Sequence, residues 1–310
     1  MFKFAWPSEL KKRGVLGMNY RNYELIGKNN PRHLYPLVDN KVKTKELAEK
    51  VGIKTPKVIG IIHYQHEVKE LLQKLEHKKS FVIKPAQGSG GKGILVIKKR
   101  TTNYFKTSSD KVLSYNQVYQ HISNILSGLY SLGGKNDIAI IEEMVQFTTV
   151  FENFSFKGVP DVRIIVYKGY PILAMTRLAT KESGGRANLH QGAVGVGLDL
   201  KTGTASYAVH HNKSIKIHPD TKSVLSNLKI PYWEEHLLIA AKAYEMTGLG
   251  YLGADIVIDK NKGPMLLELN ARPGLAIQIA NQIGLKKKLK PVKRYPVGLT
   301  PQERVSFLLK

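Results

Sequence analysis

One stretch restricts the architecture of this chain more than any other: residues 81–97, Phe-Val-Ile-Lys-Pro-Ala-Gln-Gly-Ser-Gly-Gly-Lys-Gly-Ile-Leu-Val-Ile. An apolar run ends in Lys84, a glycine-rich loop follows, and a second apolar run starts at Ile94. Gly88, Gly90 and Gly93 have the spacing of the dinucleotide fingerprint G-x-G-x-x-G. That fingerprint needs a helix after the loop, its N-terminus facing a pyrophosphate, whereas residues 94–97 read as strand. A Walker loop fails as well, because Gly93 follows Lys92 where Ser or Thr is required. The pattern predicts a strand–loop–strand hairpin, a flap whose backbone N–H groups close over phosphates. It points to nucleoside-triphosphate chemistry of neither the dehydrogenase nor the P-loop kind.

Composition narrows the class further. With 310 residues, 42% of them hydrophobic, the chain has the makeup of a soluble globular protein of one large or two modest domains. The absence of cysteine excludes disulfides and thiolate chemistry and suits a reducing cytoplasm. Residues 1–12 lack the apolar stretch of a signal peptide, and no apolar run approaches the roughly 20 residues that span a bilayer. Lysine and arginine number 48 against 24 acidic residues, a net charge of +24. Such charge suits an acidic partner (nucleic acid, anionic lipid or a polyanionic substrate) or else a surface of scattered, solvated lysines. Its densest run is Lys-Lys-Lys-Leu-Lys-Pro-Val-Lys-Arg at 286–294, which either docks on an anionic surface or partner or solubilises the terminus.

No internal repeat interrupts the pattern. Residues 1–39 read as a short lead-in. Helices are expected over 43–51, 66–75, 115–130 and 234–247. Strands are expected over 58–62, 138–144, 161–167, 172–177, 193–200, 254–258 and 265–269. Residues 98–110 read as a polar insert. These elements group into two α+β lobes, 40–144 and 145–285, joined at 142–145 and followed by a basic tail, 286–310.

A second constellation sits in the last predicted hairpin. Glu268 and Asn270 are two apart on one strand and share a face, and Asp255 on the preceding strand reaches the same face. Two carboxylates and an amide oxygen make a hard oxygen site suited to Mg²⁺, or else three acceptors that cap a hairpin. The apolar flanks Met265-Leu266-Leu267 and Ala271 predict a buried strand, in which Glu268 needs a cation to offset its desolvation. His63 with His66, and His210 with His211, raise the question of zinc, but no Cys or Glu partner has ligand spacing around them.

A phosphate flap followed by a Glu-x-Asn strand end resembles the ATP-grasp superfamily of carboxylate–amine ligases. The matching motifs run from about Asn40 to Gly284, and the chain looks most like the alpha-L-glutamate ligase-like, or sugar-transfer-associated, ATP-grasp proteins. The resemblance implies an α+β ATP-grasp fold, two lobes clasping ATP, with a reduced N-terminal segment. It implies ATP with Mg²⁺ or Mn²⁺ as cofactors, Lys41 and Lys84 on the nucleotide phosphates, and Gly88, Ser89, Gly90, Gly91, Lys92 and Gly93 as the flap over them. Glu142, Glu143, Met144 and Val145 become the segment whose backbone reads the adenine edge, and Asp161 lies near the ribose. Arg163, Arg177, Arg186 and Asn188 become phosphate, acyl-phosphate and substrate contacts. Arg272 either pairs with the metal carboxylates or grips a substrate carboxylate. Asp255, Glu268 and Asn270 fall on the metal ligands. The partners implied are ATP, a carboxylate and an amine: an amino acid, peptide or amino-sugar, with glutamate as one candidate.

The chemistry accounts for these residue types. A carboxylate is a poor electrophile until it takes the γ-phosphoryl group of ATP, and the charge on that group in transit is stabilised by lysines, arginines and Mg²⁺. An amine then attacks the acyl phosphate, and a closed flap keeps out the water that would hydrolyse it. A kinase acting on a small-molecule or sugar acceptor is the alternative. A basic nucleic-acid or membrane-surface binder with a vestigial nucleotide site is a third reading. Residues 98–132 read as more than a flap needs, a substrate lid or a docking surface.

Overall fold

The computed structural model describes residues 6–88, 90–131 and 133–310. Two compact units emerge. One comprises the described residues up to Val38, residues 47–54 and residues 147–310; the other comprises residues 39–46 and 55–146.

The smaller unit is built on a six-stranded sheet of β1 (Val58–Ile62), β2 (Phe81–Pro85), β3 (Leu95–Arg100), β4 (Phe105–Thr107), β5 (Val112–Leu113) and β6 (Ala139–Glu142). Every pairing is antiparallel, in the order β1-β6-β2-β3-β4-β5. β2 and β3 form the expected hairpin, Phe81 opposite Ile97 and Ile83 opposite Leu95, with the glycine loop between them. Helices Glu67–Lys74 and Tyr115–Leu126 carry apolar residues one turn apart. Val68 and Leu72 on the first, and Val118, Ile122 and Ile125 on the second, pack with Phe81, Ile83, Ile97 and Phe105. The second helix starts cleanly because Ser114 and Gln117 form a reciprocal capping box.

Residues 98–132 therefore depart from the expected insert. Residues 98–100 continue β3, β4 and β5 extend the sheet, and the helix that follows supplies core. Lys98, Lys99 and Arg100 read as loop because Lys98 and Lys99, near the end of β3, are exposed, so the strand is polar there in sequence.

The larger unit holds a seven-stranded antiparallel sheet of β7 (Asp161–Tyr167), β8 (Tyr170–Leu178), β9 (Val194–Leu198), β10 (Ala205–His210), β11 (Lys213–Ser214), β12 (Tyr251–Asp259) and β13 (Gly263–Asn270). Their order is β11-β10-β9-β8-β7-β12-β13. Both faces of the sheet are covered, so its central strands are nearly continuous in apolar sequence rather than alternating. Val162, Ile164 and Val166 pack with the helix Trp233–Thr247 through Leu237, Ala240 and Ala243. Ile165, Met175 and Tyr251 belong to a second cluster, closed by Leu16, Leu25 and Ile26 from the N-terminal segment and by Leu285, Leu289 and Val292 from the helix Leu285–Val292.

The lead-in and the basic tail thus both act as cover for this sheet. Gln278 fixes the first of them: its Oε1 accepts from Leu16 N at 2.9 Å and from Leu285 N at 2.8 Å. Asn30 reaches the sheet itself, donating to the carbonyls of Tyr251 and Ala271 at 2.6 and 2.8 Å. In the tail, the apolar residues of 285–292 face the sheet while its lysines face outward, and a further helix, Pro301–Leu309, buries Val305 against the helical side. No helix among the described residues is long and apolar enough to cross a membrane.

Candidate functional site

In the smaller unit three charged side chains meet under the flap strand. Lys84 projects from β2 and Glu142 from β6, strands that pair side by side. Lys45 comes from the helix Lys41–Lys50. Lys84 Nζ lies 2.8 Å from Glu142 Oε2 and Lys45 Nζ lies 3.0 Å from Oε1. Lys45 also donates to the Pro56 carbonyl at 2.7 Å. All three residues are buried. Burial pushes the Glu142 carboxyl up, but Lys84 and Lys45 outweigh it and hold the acid ionised, below its usual range. Burial, then the charge of Lys84, brings the Lys45 ammonium down to about 8, and Glu142 offsets part of that fall. Two cations on one anion leave a net positive charge inside the unit.

Lys41, one turn before Lys45, donates to the Gly88 carbonyl at 2.8 Å, so it holds the root of the glycine loop. Gly90, Gly91 and Gly93 all take left-handed backbone, φ +63, +75 and +75. Gly93 has a second reason to be glycine, since a Cβ there would lie 2.6 Å from the Tyr130 ring. Gly91 and Lys92 are exposed. Ser89 lies outside the described residues. At the far end of β6, Glu143 N–H donates to the Lys57 carbonyl at 2.9 Å, so it is taken up within the sheet. Met144 and Val145 are half-buried and irregular.

In the larger unit a row of charge crosses the sheet on the face that the N-terminal segment helps to cover. β-strand alternation puts Asp161 and Arg163 on that face of β7, and register does the rest. Asp161 stands opposite Arg177 of β8, and Asp255 of β12 stands between Arg163 and Glu268. Arg163 forks onto Asp255, Nε to Oδ1 at 2.7 Å and Nη2 to Oδ2 at 2.5 Å. Arg177 forks onto Asp161, with Nε to Oδ1 at 2.7 Å and Nη2 bonded to Oδ2, and reaches Asp255 Oδ2 at 3.0 Å. Bidentate guanidinium–carboxylate pairs of this kind fix geometry as well as charge. Burial acts to raise the Asp255 carboxyl, yet Arg163 and Arg177 hold it far below the usual carboxylate range.

Glu268 and Asn270 complete the row on β13. Asn270 Nδ2 lies 3.4 Å from Asp255 Oδ2, which turns its Oδ1 the other way. Glu268 is half-buried rather than fully buried, and its carboxylate makes no hydrogen bond among the described residues. Its negative charge, with that of Asp255, helps hold the Arg163 guanidinium protonated. The donor set (the Glu268 carboxylate, an amide oxygen and the remaining lone pair of Asp255 Oδ1) is all hard oxygen and fits Mg²⁺.

The remaining expected residues stand elsewhere in this unit. Arg186 is exposed on the loop between β8 and β9, its guanidinium without a hydrogen bond among the described residues. Asn188, on the same loop, caps the short helix Leu189–Gln191 by accepting from His190 N at 3.0 Å. The Arg272 guanidinium lies over the Tyr35 ring, 5.1 Å from its centroid. Lys45 was missed as a site residue. Its signal was present, because Lys41 and Lys45 are four apart on one helix and share a face.

Comparison with known proteins follows this geometry. A profile described as sugar-transfer associated ATP-grasp matches residues 20–294. A search of curated proteins finds no match. Among solved structures, the ATP-grasp ligase PsnB complexed with a minimal precursor is 14% identical, over 85% of this chain and 62% of that one, with a TM-score of 0.44. D-alanine–D-alanine ligase from Bacillus anthracis is 13% identical over 89% of this chain and 67% of that one, with a TM-score of 0.43. Phosphoribosylamine–glycine ligase from Thermotoga maritima is 17% identical over 79% and 50%, with a TM-score of 0.44. The chain spans about three fifths of the length of the PsnB structures it matches.

Proposed function

The chain belongs to the sugar-transfer associated ATP-grasp family and has the ATP-grasp fold, and from that premise we propose that it is an ATP- and Mg²⁺-dependent ligase that activates a carboxylate as an acyl phosphate and joins it to an amine. The observation that carries this reading is the row on the larger sheet. It sets two arginines, held in fixed orientation by Asp161 and Asp255, beside a Glu268 whose carboxylate makes no hydrogen bond among the described residues. Fixed cations next to a cation-seeking oxygen cluster are what a phosphoryl group in transit requires.

In this reading Lys84 and Lys45 supply positive charge to the nucleotide phosphates, and the glycine loop, its root held by Lys41, supplies backbone N–H groups to them. The backbone at Met144 and Val145 reads the adenine edge. Glu142 acts as a positioning residue that keeps both ammonium groups in place. Glu268, Asn270 and Asp255 hold Mg²⁺, which neutralises charge on the transferred phosphoryl group when bound. Arg163 and Arg177 present their outward N–H groups to the phosphoryl oxygens and then to the oxyanion formed when the amine attacks. Asp161 orients Arg177. Arg186, Asn188 and Arg272 bind the substrates. Glutamate is one candidate for the acid or the amine.

ATP turnover across panels of carboxylates paired with amino acids, peptides and amino-sugars, with mass spectrometry of the products, tests the proposal. ADP and phosphate are expected only when both partners are present, together with an adduct one water lighter than their sum. Glu268→Gln is expected to lower kcat about 100-fold or more while shifting stability by less than about 0.5 kcal/mol. A stable phosphorylated product formed without any amine would instead identify a kinase.

A further inference from the structure

The hairpin of β10 and β11 gathers three side chains that the ligase chemistry does not use. His210 and His211 are consecutive, and on a continuing strand their rings would point to opposite faces. The strand ends between them. His210 pairs with Lys213 across a two-residue loop in which His211 and Asn212 are both left-handed, φ +49 and +60. A loop of that kind normally takes Asn-Gly. The turn swings the His211 ring back beside His210, with centroids 4.2 Å apart. Glu182, on the loop between β8 and β9, meets them there. Its Oε2 lies 2.8 Å from His211 Nε2 and 3.5 Å from His210 Nε2.

One ligand atom from each of the three residues lies within 4.8 Å of the others. Tetrahedral zinc, with bonds of about 2.0–2.2 Å, holds its ligand atoms about 3.3 Å apart, so the cluster closes on an ion through small side-chain rotations. The backbone makes room for it as well. Gly192, at φ +91, faces Glu182 so closely that a Cβ would lie 2.8 Å from its carboxyl carbon. His210 Nε2 also sits 2.9 Å from the Gly192 carbonyl, a hydrogen bond that must be exchanged on metal binding.

We propose that Glu182, His210 and His211 form a surface site for a late first-row divalent cation, Zn²⁺ above all, with water completing the coordination. Two imidazoles and one carboxylate select such ions over Mg²⁺, which prefers an all-oxygen shell. The site is separate from the hard-oxygen set at Glu268. Its consequence is mechanical: the ion pins the loop between β8 and β9 to the β10–β11 hairpin. That loop also carries Arg186 and Asn188, so pinning it orders substrate contacts, a corollary that rests on the ligase reading while the metal site does not.

The test titrates the full-length protein with Zn²⁺ against a chromophoric chelator, in excess Mg²⁺ and without nucleotide, and follows amide hydrogen exchange over residues 180–192. One equivalent of Zn²⁺ is expected to bind, with slowed exchange in that loop. His211→Ala and Glu182→Gln, both at exposed positions, should each lose that equivalent and the slowing while keeping the thermal midpoint of the zinc-free protein. Equal Zn²⁺ binding by the wild type and both variants, or no binding by any of them, overturns the proposal. Zinc binding with no ATP turnover on any substrate panel would uphold the site and count against the ligase alone.

Discussion

Both units place cations against buried carboxylates, but they choose different cations. The smaller unit sets two lysines on Glu142; the larger sets two arginines on Asp161 and Asp255. Lysine yields a proton when burial becomes too costly, and Lys45 has already moved down to about 8. Arginine keeps its charge under any condition a folded protein meets. The lysine cluster is therefore adjustable, able to relax when its anion is lost. The arginine row is rigid, and a lost carboxylate leaves it no means of adjustment.

The sharpest test of this contrast is Asp255→Asn. It strands the buried side of Arg163 and removes one of the two acids on Arg177, and we expect a loss of about 3–5 kcal/mol in urea denaturation, the same at pH 7 and pH 9. Glu142→Gln should cost less, about 1–3 kcal/mol at pH 7, because a lysine can neutralise. Its deficit should also shrink with alkalinity. Between about 8 and the ordinary lysine value of 10.5, the unfolded chain holds a proton that folded Lys45 has released. Raising pH through that window therefore favours the folded state. Without Glu142 the Lys45 value falls further, so the variant gains from an earlier pH and by more. A Glu142→Gln deficit that is as large as that of Asp255→Asn, and flat with pH, would break the comparison.

The smallest effects belong to the loop, and they separate space from backbone. Gly91→Ala meets no neighbour and bears only the left-handed φ of +75, about 1–2 kcal/mol. Gly93→Ala has the same φ and also drives its methyl into Tyr130, so its thermal midpoint should fall further. Equal shifts for the two would remove Tyr130 as a constraint on the loop.

The hairpin around the glycine loop was legible because strand alternation and glycine spacing are local signals. So was the shared face of Glu268 and Asn270, which follows from a two-residue spacing. What sequence could not show was how carboxylates are shared. Register, which no local pattern reveals, pairs Asp255 with Arg163 and Arg177, and Asp161 with Arg177. Glu182 illustrates the same limit. It lies 29 residues before His211, so no search for ligand spacing around the histidines would reach it. The tail misled for a different reason: its lysines dominate the composition, while Leu285, Leu289 and Val292, spaced as one helical face, do the packing.

The packing of the N-terminal segment beside the helix Leu285–Val292 bears on how this protein is made. The backbone at Gly284 comes so near Gly14 that a Cβ would fall 2.0 Å from the Gly14 carbonyl carbon, and Lys286 N–H donates to the Gly14 carbonyl at 3.1 Å. The larger sheet accordingly stays open on one face until residues some 270 positions apart have both left the ribosome. Residues 55–146 of the smaller unit form a single run and emerge long before. All residues of the smaller unit are thus synthesised before the helix that closes the larger sheet.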